Sequence, residues 1–216
     1  MERTKGRPLV KKTVSTANAF IFAALLAILG TTILTLYTNI LTVCLALFGL
    51  FVYVVLYSFF KLRSTYGTAI GSIAGAIPPV VGYCAVSGRF DLGAFIIFMI
   101  VALWQMPHFF AIALYRLKDY TAASIPVLPV QKGIFVTKVQ MLLYIIAFIL
   151  ATFALTYFGY TGYGYLAVTA ILGSIWLWMS IEGFRTNNDT AWARKMFLFS
   201  LVTVMGLCLM ISVDVI

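Results

Sequence analysis

The sequence predicts an all-α fold, a polytopic bundle of transmembrane helices. Of its 216 residues, 63% are hydrophobic and only 10% are charged, whereas a soluble domain carries about 25% charged residues. Apolar stretches of about 20 residues recur along the chain, which is the length of helix that crosses a hydrocarbon core about 30 Å thick. The composition therefore excludes a water-soluble globular protein.

Seven apolar stretches, separated by charged or Gly- and Asn-rich breaks, predict seven spans. The first two are separated only by Thr38 and Asn39, so we expect them to form a tight hairpin. We expect residues 1–216 to form a single transmembrane domain. In chain order the predicted spans cover residues 18–37, 40–60, 67–86, 93–115, 139–158, 164–182 and 196–214.

The third predicted span has glycines on one face and two adjacent prolines. Gly67, Gly71 and Gly75 recur every fourth residue, so they share one side of a helix, where small residues allow another helix to approach closely. Pro78 and Pro79 free backbone carbonyls, which is tolerated in a membrane only where protein or a cavity covers the break. The pattern favours helix packing over direct ligand contact and predicts a helix that is bent around whatever it encloses.

The distribution of charge predicts the orientation in the membrane. The formal net charge is +9, and every lysine and arginine except Arg89 lies on the same side as the N-terminus. Membrane proteins carry an excess of Lys and Arg on the cytoplasmic side. The sequence therefore predicts a cytoplasmic N-terminus, and the positive charge requires no nucleic-acid partner.

The fourth span carries polar residues spaced by three and four positions, which predicts one stripe along a helix that continues past the span. At 1.5 Å per residue, the chain's only histidine lies about 10 Å inside the end of its span, and the carboxylate lies near the cytoplasmic surface. Intramembrane polar groups usually mark function, although hydrogen bonding to a neighbouring helix is the structural alternative. One histidine alone is weak support for a metal site. The stripe consists of Gln105, His108, Ile112, Tyr115 and Asp119.

Basic residues cluster at the predicted inner ends of the first two spans. Lys61 and Arg63 follow Tyr57, and further basic residues precede the first span. Each one taken singly is explained by lipid-headgroup anchoring. Together with Asp119 they suit a diphosphate with Mg²⁺, because Mg²⁺ is usually held by one or two carboxylates plus phosphate oxygens. A diphosphate with an apolar tail would place that tail among the helices.

Four stretches resemble a known family: "MERTKGRPL", "YGTAIGSIAGAIPPVVGYCAVSG", "LWQMPHFFAIALYRLKDYTAASIPVLPV" and "WARKMF". They are similar to the UbiA-type intramembrane prenyltransferases, and the "WQMPHF…KDY…IPVLP" set to their haem O synthase (protoheme IX farnesyltransferase) branch. The resemblance runs from the first residue to about Asp214. It implies nine transmembrane helices around a central cavity, in the bacterial inner membrane.

The resemblance also implies a reaction. A farnesyl group passes from farnesyl diphosphate to a vinyl group of haem B, which is substrate and not prosthetic group, and water completes the haem O side chain. Mg²⁺ is the expected cofactor, and the product serves haem–copper oxidases, so a link to oxidase assembly is expected. The alternatives are a UbiA-type enzyme acting on a quinone or chlorophyll precursor, a non-enzymatic haem- or lipid-binding membrane protein, and a transporter. A transporter predicts symmetric half-repeats, which the sequence does not display.

The family's functional positions map onto this sequence residue by residue. Asp119 falls in its second acidic motif, which binds Mg²⁺ and diphosphate, and Lys61 in its basic loop. Arg63 is one place later than the family's arginine because Leu62 intervenes. The expected catalytic residues are Asp119 (also the metal ligand), Lys61, Arg3 and Arg7; the expected haem-side residues are His108, Gln105, Trp104 and Tyr115; and the expected diphosphate-binding residues are Arg63, Lys118 and Tyr57.

The sequence departs from the family at its front. The family has about two helices and a first aspartate-rich motif, N-D-x-x-D, immediately before the position of Met1. We therefore expect a chain that lacks its N-terminal two helices and one Mg²⁺ ligand set, and whose activity is impaired.

Overall fold

The computed structural model describes residues 4–216, so Arg3, expected to be catalytic, lies outside the described residues. Within that range the regular structure is helical, apart from one isolated bridge between Thr161 and Val215. Seven of the helices are long and apolar enough to cross a membrane, which confirms the predicted fold class. The helices are α1 (Thr16–Tyr37), α2 (Ile40–Phe60), α3 (Gly67–Ser87), α4 (Leu92–Tyr115), α5 (Leu117–Ala122), α6 (Leu128–Tyr157), α7 (Tyr163–Glu182) and α8 (Asp189–Val213).

The observed helix ends agree with the predicted ones to within two residues, except at the starts of α6 and α8. These helices begin at Leu128 and Asp189, well before the predicted positions 139 and 196. The prediction is wrong there because it treated the charged residues as loop residues. Both helices in fact extend beyond the apolar stretch on the side of the bundle from which the chain enters α1, which we call the inner side. Gly133, with φ of +84°, offsets the first turn of α6 from the rest.

Thr38 and Asn39 form the predicted tight hairpin between α1 and α2. The Thr38 N–H donates to the carbonyl of Leu34 and closes α1, while Asn39 Oδ1 accepts from the Thr42 N–H at 3.0 Å and caps α2. The Asn39 amide also donates to the carbonyl of Cys84 in α3 at 2.8 Å. Asn39 thus satisfies groups at two helix ends and ties the hairpin to α3.

Asp91 fixes the outer end of α4. Its Oδ1 accepts a hydrogen bond from the Ala94 N–H at 3.1 Å, and its Oδ2 accepts from the Tyr83 hydroxyl at 3.1 Å and from Arg89 Nε at 3.0 Å. Burial alone would raise the pKa of this carboxyl, but the hydrogen bonds and the Arg89 charge together lower it below its ordinary value. The charged form of Asp91 is therefore the one that caps α4.

α4 is the central helix of the bundle. It packs against α3 on one side and against α6 and α8 on the other, and half of its residues are buried. Helices α6, α7 and α8 pack on one another as well, and the Trp176 ring meets Phe148 edge-on at 5.7 Å. α1 packs against α2 and contains no buried residue. The side chains that α4 carries are thereby held between two groups of helices.

Lys138 closes the inner end of the α6–α7–α8 group. Its side chain is 9% exposed, and its Nζ donates to the Gly183 carbonyl at 2.6 Å and to Asp189 Oδ1 at 2.5 Å. The ammonium also lies 5.2 Å from the centre of the Trp192 ring. This buried cation therefore joins α6 to the turn between α7 and α8. From the sequence, Lys138 counts only as one of the basic residues that set the orientation in the membrane.

We expect Lys138→Met to lower the free energy of unfolding by about 1–3 kcal/mol, because it leaves a buried carbonyl and a carboxylate without their donor. The measurement is the thermal unfolding midpoint in detergent. Lys132→Met, which replaces an exposed lysine on the same helix, is the matched control. Equal midpoints for the two variants would show that the Lys138 contacts do not stabilise the bundle.

Candidate functional site

A cavity of about 460 Å³ lies at the inner end of the bundle, between α2, α3, α4 and the segment that joins α5 to α6. We call it the inner cavity. It combines polar groups at the mouth with aromatic and small side chains behind them. Its lining includes Tyr53, Tyr57, Lys61, Ser64, Thr68, Gly71, Phe109, Phe110, Tyr120, Ile125 and Pro126.

An apolar groove of about 580 Å³ continues the inner cavity deeper into the membrane. The two share Tyr53, Gly71 and Phe109 among their lining residues, so they adjoin one another. The rest of the groove is formed by α2, α3 and α4, and its lining includes Ala46, Gly49, Leu50, Ala74, Gly75, Ile77, Pro78, Val81 and Gln105. A molecule with a polar head and an apolar tail matches this succession of surfaces.

The glycine face of α3 creates this space. A Cβ at Gly67 would lie 2.9 Å from the Lys61 Cα, and one at Gly71 would lie 3.1 Å from Tyr57 Cε2. Both glycines therefore allow α2 to approach α3 closely, as predicted for helix packing. Gly71 also lines both parts of the cavity, so the same face serves packing and the cavity together.

An irregular turn of α2 presents two tyrosines to the cavity. Residues Val52–Tyr57 form a π-helical turn, a local widening that is frequent at functional sites. It stacks the rings of Tyr53 and Tyr57 at 5.5 Å, and Lys61 Nζ lies 5.3 Å from the centre of the Tyr57 ring. Sequence reasoning missed Tyr53, although its position one helical turn before Tyr57 was the available signal.

The predicted cations do not all converge on the cavity. Lys61 lines it together with Tyr57. The Arg63 guanidinium instead lies 4.0 Å from the centre of the Phe59 ring, and Arg7 and Lys118 are exposed and absent from the lining. The structure therefore brings together two of the predicted diphosphate-side residues and leaves the other three described cations outside the cavity.

Asp119 does not lie on the same helix as Gln105 and His108. α4 ends at Tyr115, and Arg116 leaves the helical conformation with φ −108° and ψ 22°. The predicted continuous stripe is wrong here, because this break places Asp119 in the separate short helix α5. Its carboxylate lies 3.7 Å from Arg116 Nη1 and is about one-third exposed, next in sequence to Tyr120, which lines the inner cavity.

The predicted haem-side residues divide between two faces of α4. His108 Nδ1 forms a hydrogen bond of 2.7 Å with Ser200 Oγ on α8, and Trp104 Nε1 donates to the Ser200 carbonyl at 2.8 Å. The His108 and Trp104 rings stack at 4.8 Å. Gln105, by contrast, faces α3 and lines the groove. The Ser200 contact was invisible in sequence because 92 positions separate the partners.

Tyr115 completes the haem-side set at the inner end of α4. It packs, partly buried, against the main hydrophobic core. The Arg116 guanidinium lies 4.4 Å from the centre of its ring, close enough for a cation–π contact. Tyr115 is absent from the lining of both parts of the cavity.

A third cavity, of about 630 Å³, lies between the inner ends of α7 and α8. Its lining includes Glu182, Arg185, Asn188 and Lys195, together with Trp178. It shares no lining residue with the inner cavity or the groove, and none of the sequence-predicted site residues lies in it. The inner cavity and the adjoining groove are therefore the candidate site.

The residues that the structure describes, 4–216, contain no group of three or more His, Cys, Asp or Glu side chains able to hold a metal ion. Asp119 is a single carboxylate at the inner end of α4. One carboxylate fits Mg²⁺ when phosphate oxygens and water supply the other ligands. It does not fit an ion held by protein ligands alone.

Comparisons with known proteins agree on one family. The family model of the UbiA prenyltransferase family matches residues 1–202. The chain is 54% identical over 216 residues to the protoheme IX farnesyltransferase of Protochlamydia amoebophila, covering all of this chain and 76% of that one. It is 52% identical over 215 residues to the protein of the same name from Yersinia pseudotuberculosis, covering 99% and 73%. A solved structure of a digeranylgeranylglyceryl phosphate synthase matches in fold, with TM-score 0.79 and 19% identity over 98% of this chain and 76% of that one.

Gly71→Leu tests whether the inner cavity and the groove act as one site. The new side chain would fill the space that the two parts share, so we expect farnesyl diphosphate binding to weaken by at least about tenfold, the equivalent of 1.4 kcal/mol. Binding is measured by calorimetry in detergent, with the unfolding midpoint recorded beside it. Gly82→Leu on the same helix is the control, since nothing lies within 4 Å of its Cβ position. Unchanged affinity in a folded Gly71→Leu protein contradicts a shared site.

Proposed function

Because the chain belongs to the UbiA prenyltransferase family, we propose that it transfers a farnesyl group from farnesyl diphosphate to a vinyl group of haem B, giving haem O. Relatives at 52–54% identity along the whole chain carry the name protoheme IX farnesyltransferase, which supports farnesyl as the group transferred and protoheme as the acceptor. The "WQMPHF" stretch favours the haem acceptor over a quinone or chlorophyll precursor.

The inner cavity, together with the groove that adjoins it, is the observation that carries this proposal. Its mouth offers the ammonium of Lys61 and the hydroxyl of Tyr57, groups suited to the diphosphate. Its deeper part is almost entirely apolar and suits a farnesyl chain and a porphyrin face. A substrate that is anionic at one end and apolar at the other would therefore bind in one direction only, with its reacting carbon below the mouth.

Asp119 is the carboxylate proposed to hold Mg²⁺ with the diphosphate. It lies at the inner end of α4, partly exposed to water, where a hydrated ion can reach it. Mg²⁺ when bound supplies positive charge to the diphosphate leaving group. Arg116 Nη1 lies 3.7 Å from the Asp119 carboxylate, so ion binding has to compete with a weak, solvent-screened pair.

The proposed reaction uses the cavity walls rather than a covalent intermediate. The C1–O bond of farnesyl diphosphate breaks, and its electron pair leaves with the diphosphate, held by Lys61. The rings of Tyr53, Phe109 and Phe110 line the space below, and aromatic faces attract the allylic cation that develops there. The haem vinyl carbon then forms the bond to C1. Exclusion of bulk water from this apolar space protects the allylic cation until that bond forms.

The remaining assignments are also proposals. Arg3, Arg7, Arg63 and Lys118 would support the diphosphate from the cytoplasmic side, although the three that the structure describes are absent from the cavity lining. His108 and Trp104 would serve the haem side indirectly, since their contacts with Ser200 hold α4 against α8. The protein would span the bacterial inner membrane with a cytoplasmic N-terminus, and haem O would pass to haem–copper oxidase assembly.

The test is haem extraction from membranes of cells that express the protein from its full reading frame, with any codons that precede Met1 included. We expect haem O to appear, to depend on Mg²⁺ and to be suppressed by a chelator. Asp119→Asn should lower the Mg²⁺-dependent rate about 10- to 100-fold, the usual scale for a disturbed metal site. Glu182→Gln, an exposed acid at the third cavity, should leave it unchanged. Haem B alone, with the protein present, refutes the proposed function.

Comparing His108→Ala with Ser200→Ala tests the role of the buried histidine. If His108 acts by holding α4 against α8, both variants lose the same 2.7 Å hydrogen bond and should weaken haem binding to a similar extent. Farnesyl diphosphate binding should stay nearly intact in both. Haem binding is measured by absorption titration in detergent. A loss confined to His108→Ala would mean that the imidazole itself contacts the haem.

A further inference from the structure

Gln105 is a largely buried residue whose side-chain amide opens onto the groove and takes no part in the reaction proposed above. Only 6% of this residue is exposed, and its amide lines the groove. No side chain or backbone group within residues 4–216 forms a hydrogen bond with it. Buried polar side chains are almost always paired, with protein or with ordered water. An unpaired amide that faces a cavity therefore indicates a hydrogen-bonding partner inside that cavity.

Gly75 is what allows the amide to reach the groove. A Cβ at this position would lie 2.7 Å from Gln105 Nε2 and still closer to Oε1. The glycine leaves room for the amide, while Pro78, one turn further along α3, borders the same groove. The side chains around it are apolar except for the Tyr53 hydroxyl, so water in this part of the groove would have few other partners.

Farnesyl transfer to a vinyl group produces a second cation, which can react in two ways. When the terminal vinyl carbon bonds to C1 of the farnesyl group, the positive charge moves to the inner vinyl carbon, beside the porphyrin ring. That cation either loses a proton, which gives an alkene, or takes up water, which gives an alcohol. In an apolar groove the first outcome is favoured unless a water molecule is held in place.

We propose that Gln105 holds the water molecule that adds to this second cation, so that the product is the alcohol. The inference rests on the proposed function. Gln105 is a positioning residue: its amide oxygen accepts a hydrogen bond from the water, whose lone pair then faces the cationic carbon. The water oxygen forms the C–O bond, and the proton that it loses passes to the departing diphosphate. The vinyl double bond is consumed, and no oxidant or reductant is needed.

The depth of Gln105 is consistent with this role. Gly75, which faces the amide, lies eight residues after Gly67 at the inner end of α3, about 12 Å along the helix axis. Phe109, one turn nearer the mouth than Gln105, lines both parts of the cavity. A vinyl group that reacts just below a diphosphate at Lys61 would lie between these two levels.

The experiment measures the ratio of two farnesylated haems by mass spectrometry, the alcohol and the alkene that is lighter by one water molecule. Gln105→Met keeps the size of the side chain and removes its hydrogen bond, and Gln105→Glu keeps an acceptor oxygen. We expect Gln105→Met to raise the alkene-to-alcohol ratio by at least about tenfold, roughly the effect of one lost hydrogen bond. Gln105→Glu should retain the alcohol. Phe109→Leu, which reshapes the same groove, should change the rate and leave the ratio as it was.

Each other outcome counts against the inference. An unchanged ratio in Gln105→Met overturns it and leaves the proposed function intact. Loss of both products in Gln105→Met, in protein that still binds haem and farnesyl diphosphate, also overturns it, because placing a water is not needed for the carbon–carbon bond. If Gln105→Met does not fold, the alkene-to-alcohol ratio is measured in Gly75→Ala instead, since the added methyl group displaces the Gln105 amide. The same rise in the ratio is expected there. Absence of any farnesylated haem from the unchanged protein refutes the proposed function itself.

Discussion

The absence of water from the bilayer core is the constraint on which this structure depends. Backbone polar groups within a span have to be paired inside the protein, and a polar side chain there is stabilised by a partner in the protein or in a bound molecule. His108 meets the constraint inside the protein, because Ser200 on α8 accepts or donates at its ring nitrogen. Gln105, three residues earlier on the same helix, has no such partner within residues 4–216. The two side chains therefore have different surroundings, although their spacing made them look like one group.

The helices could be predicted because the same constraint acts on the sequence directly. A span has to be apolar over about 20 residues, and such stretches are visible without knowledge of the fold. The prediction is wrong where helices leave the hydrocarbon core. At Lys138 a charge marks no loop, because the Gly183 carbonyl and Asp189 neutralise it within the bundle. A sequence records that a lysine is present, but its acceptors lie 45 and 51 positions away.

The candidate site was predictable only in part, for a similar reason. Tyr57 and Lys61 converge on the inner cavity because Tyr57 lies in the last turns of α2 and Lys61 directly follows that helix, so spacing alone brings them together. The contacts that separate His108 from Gln105 depend instead on which helices flank α4 and at what height, which periodicity does not specify. The end of α4 was equally hidden. Nothing in "YRLKDY" excludes a helix, and the break at Arg116 is a feature of its tertiary surroundings.

The break at Arg116 separates Asp119 from the helix that carries Gln105. If α4 continued to Asp119, one helix would carry both the carboxylate and the Gln105 amide. A displacement of Asp119 would then also displace Gln105 in the groove. Asp119 instead belongs to the six-residue helix α5, attached to the well-buried α4 through a single non-helical residue. A helix this short has little stability of its own and can adjust to a diphosphate and its ion. The groove, by contrast, is lined by the long helices α2, α3 and α4. In the proposed function the ion would therefore bind on the short helix α5, and the long helices would set the position of the reacting carbon.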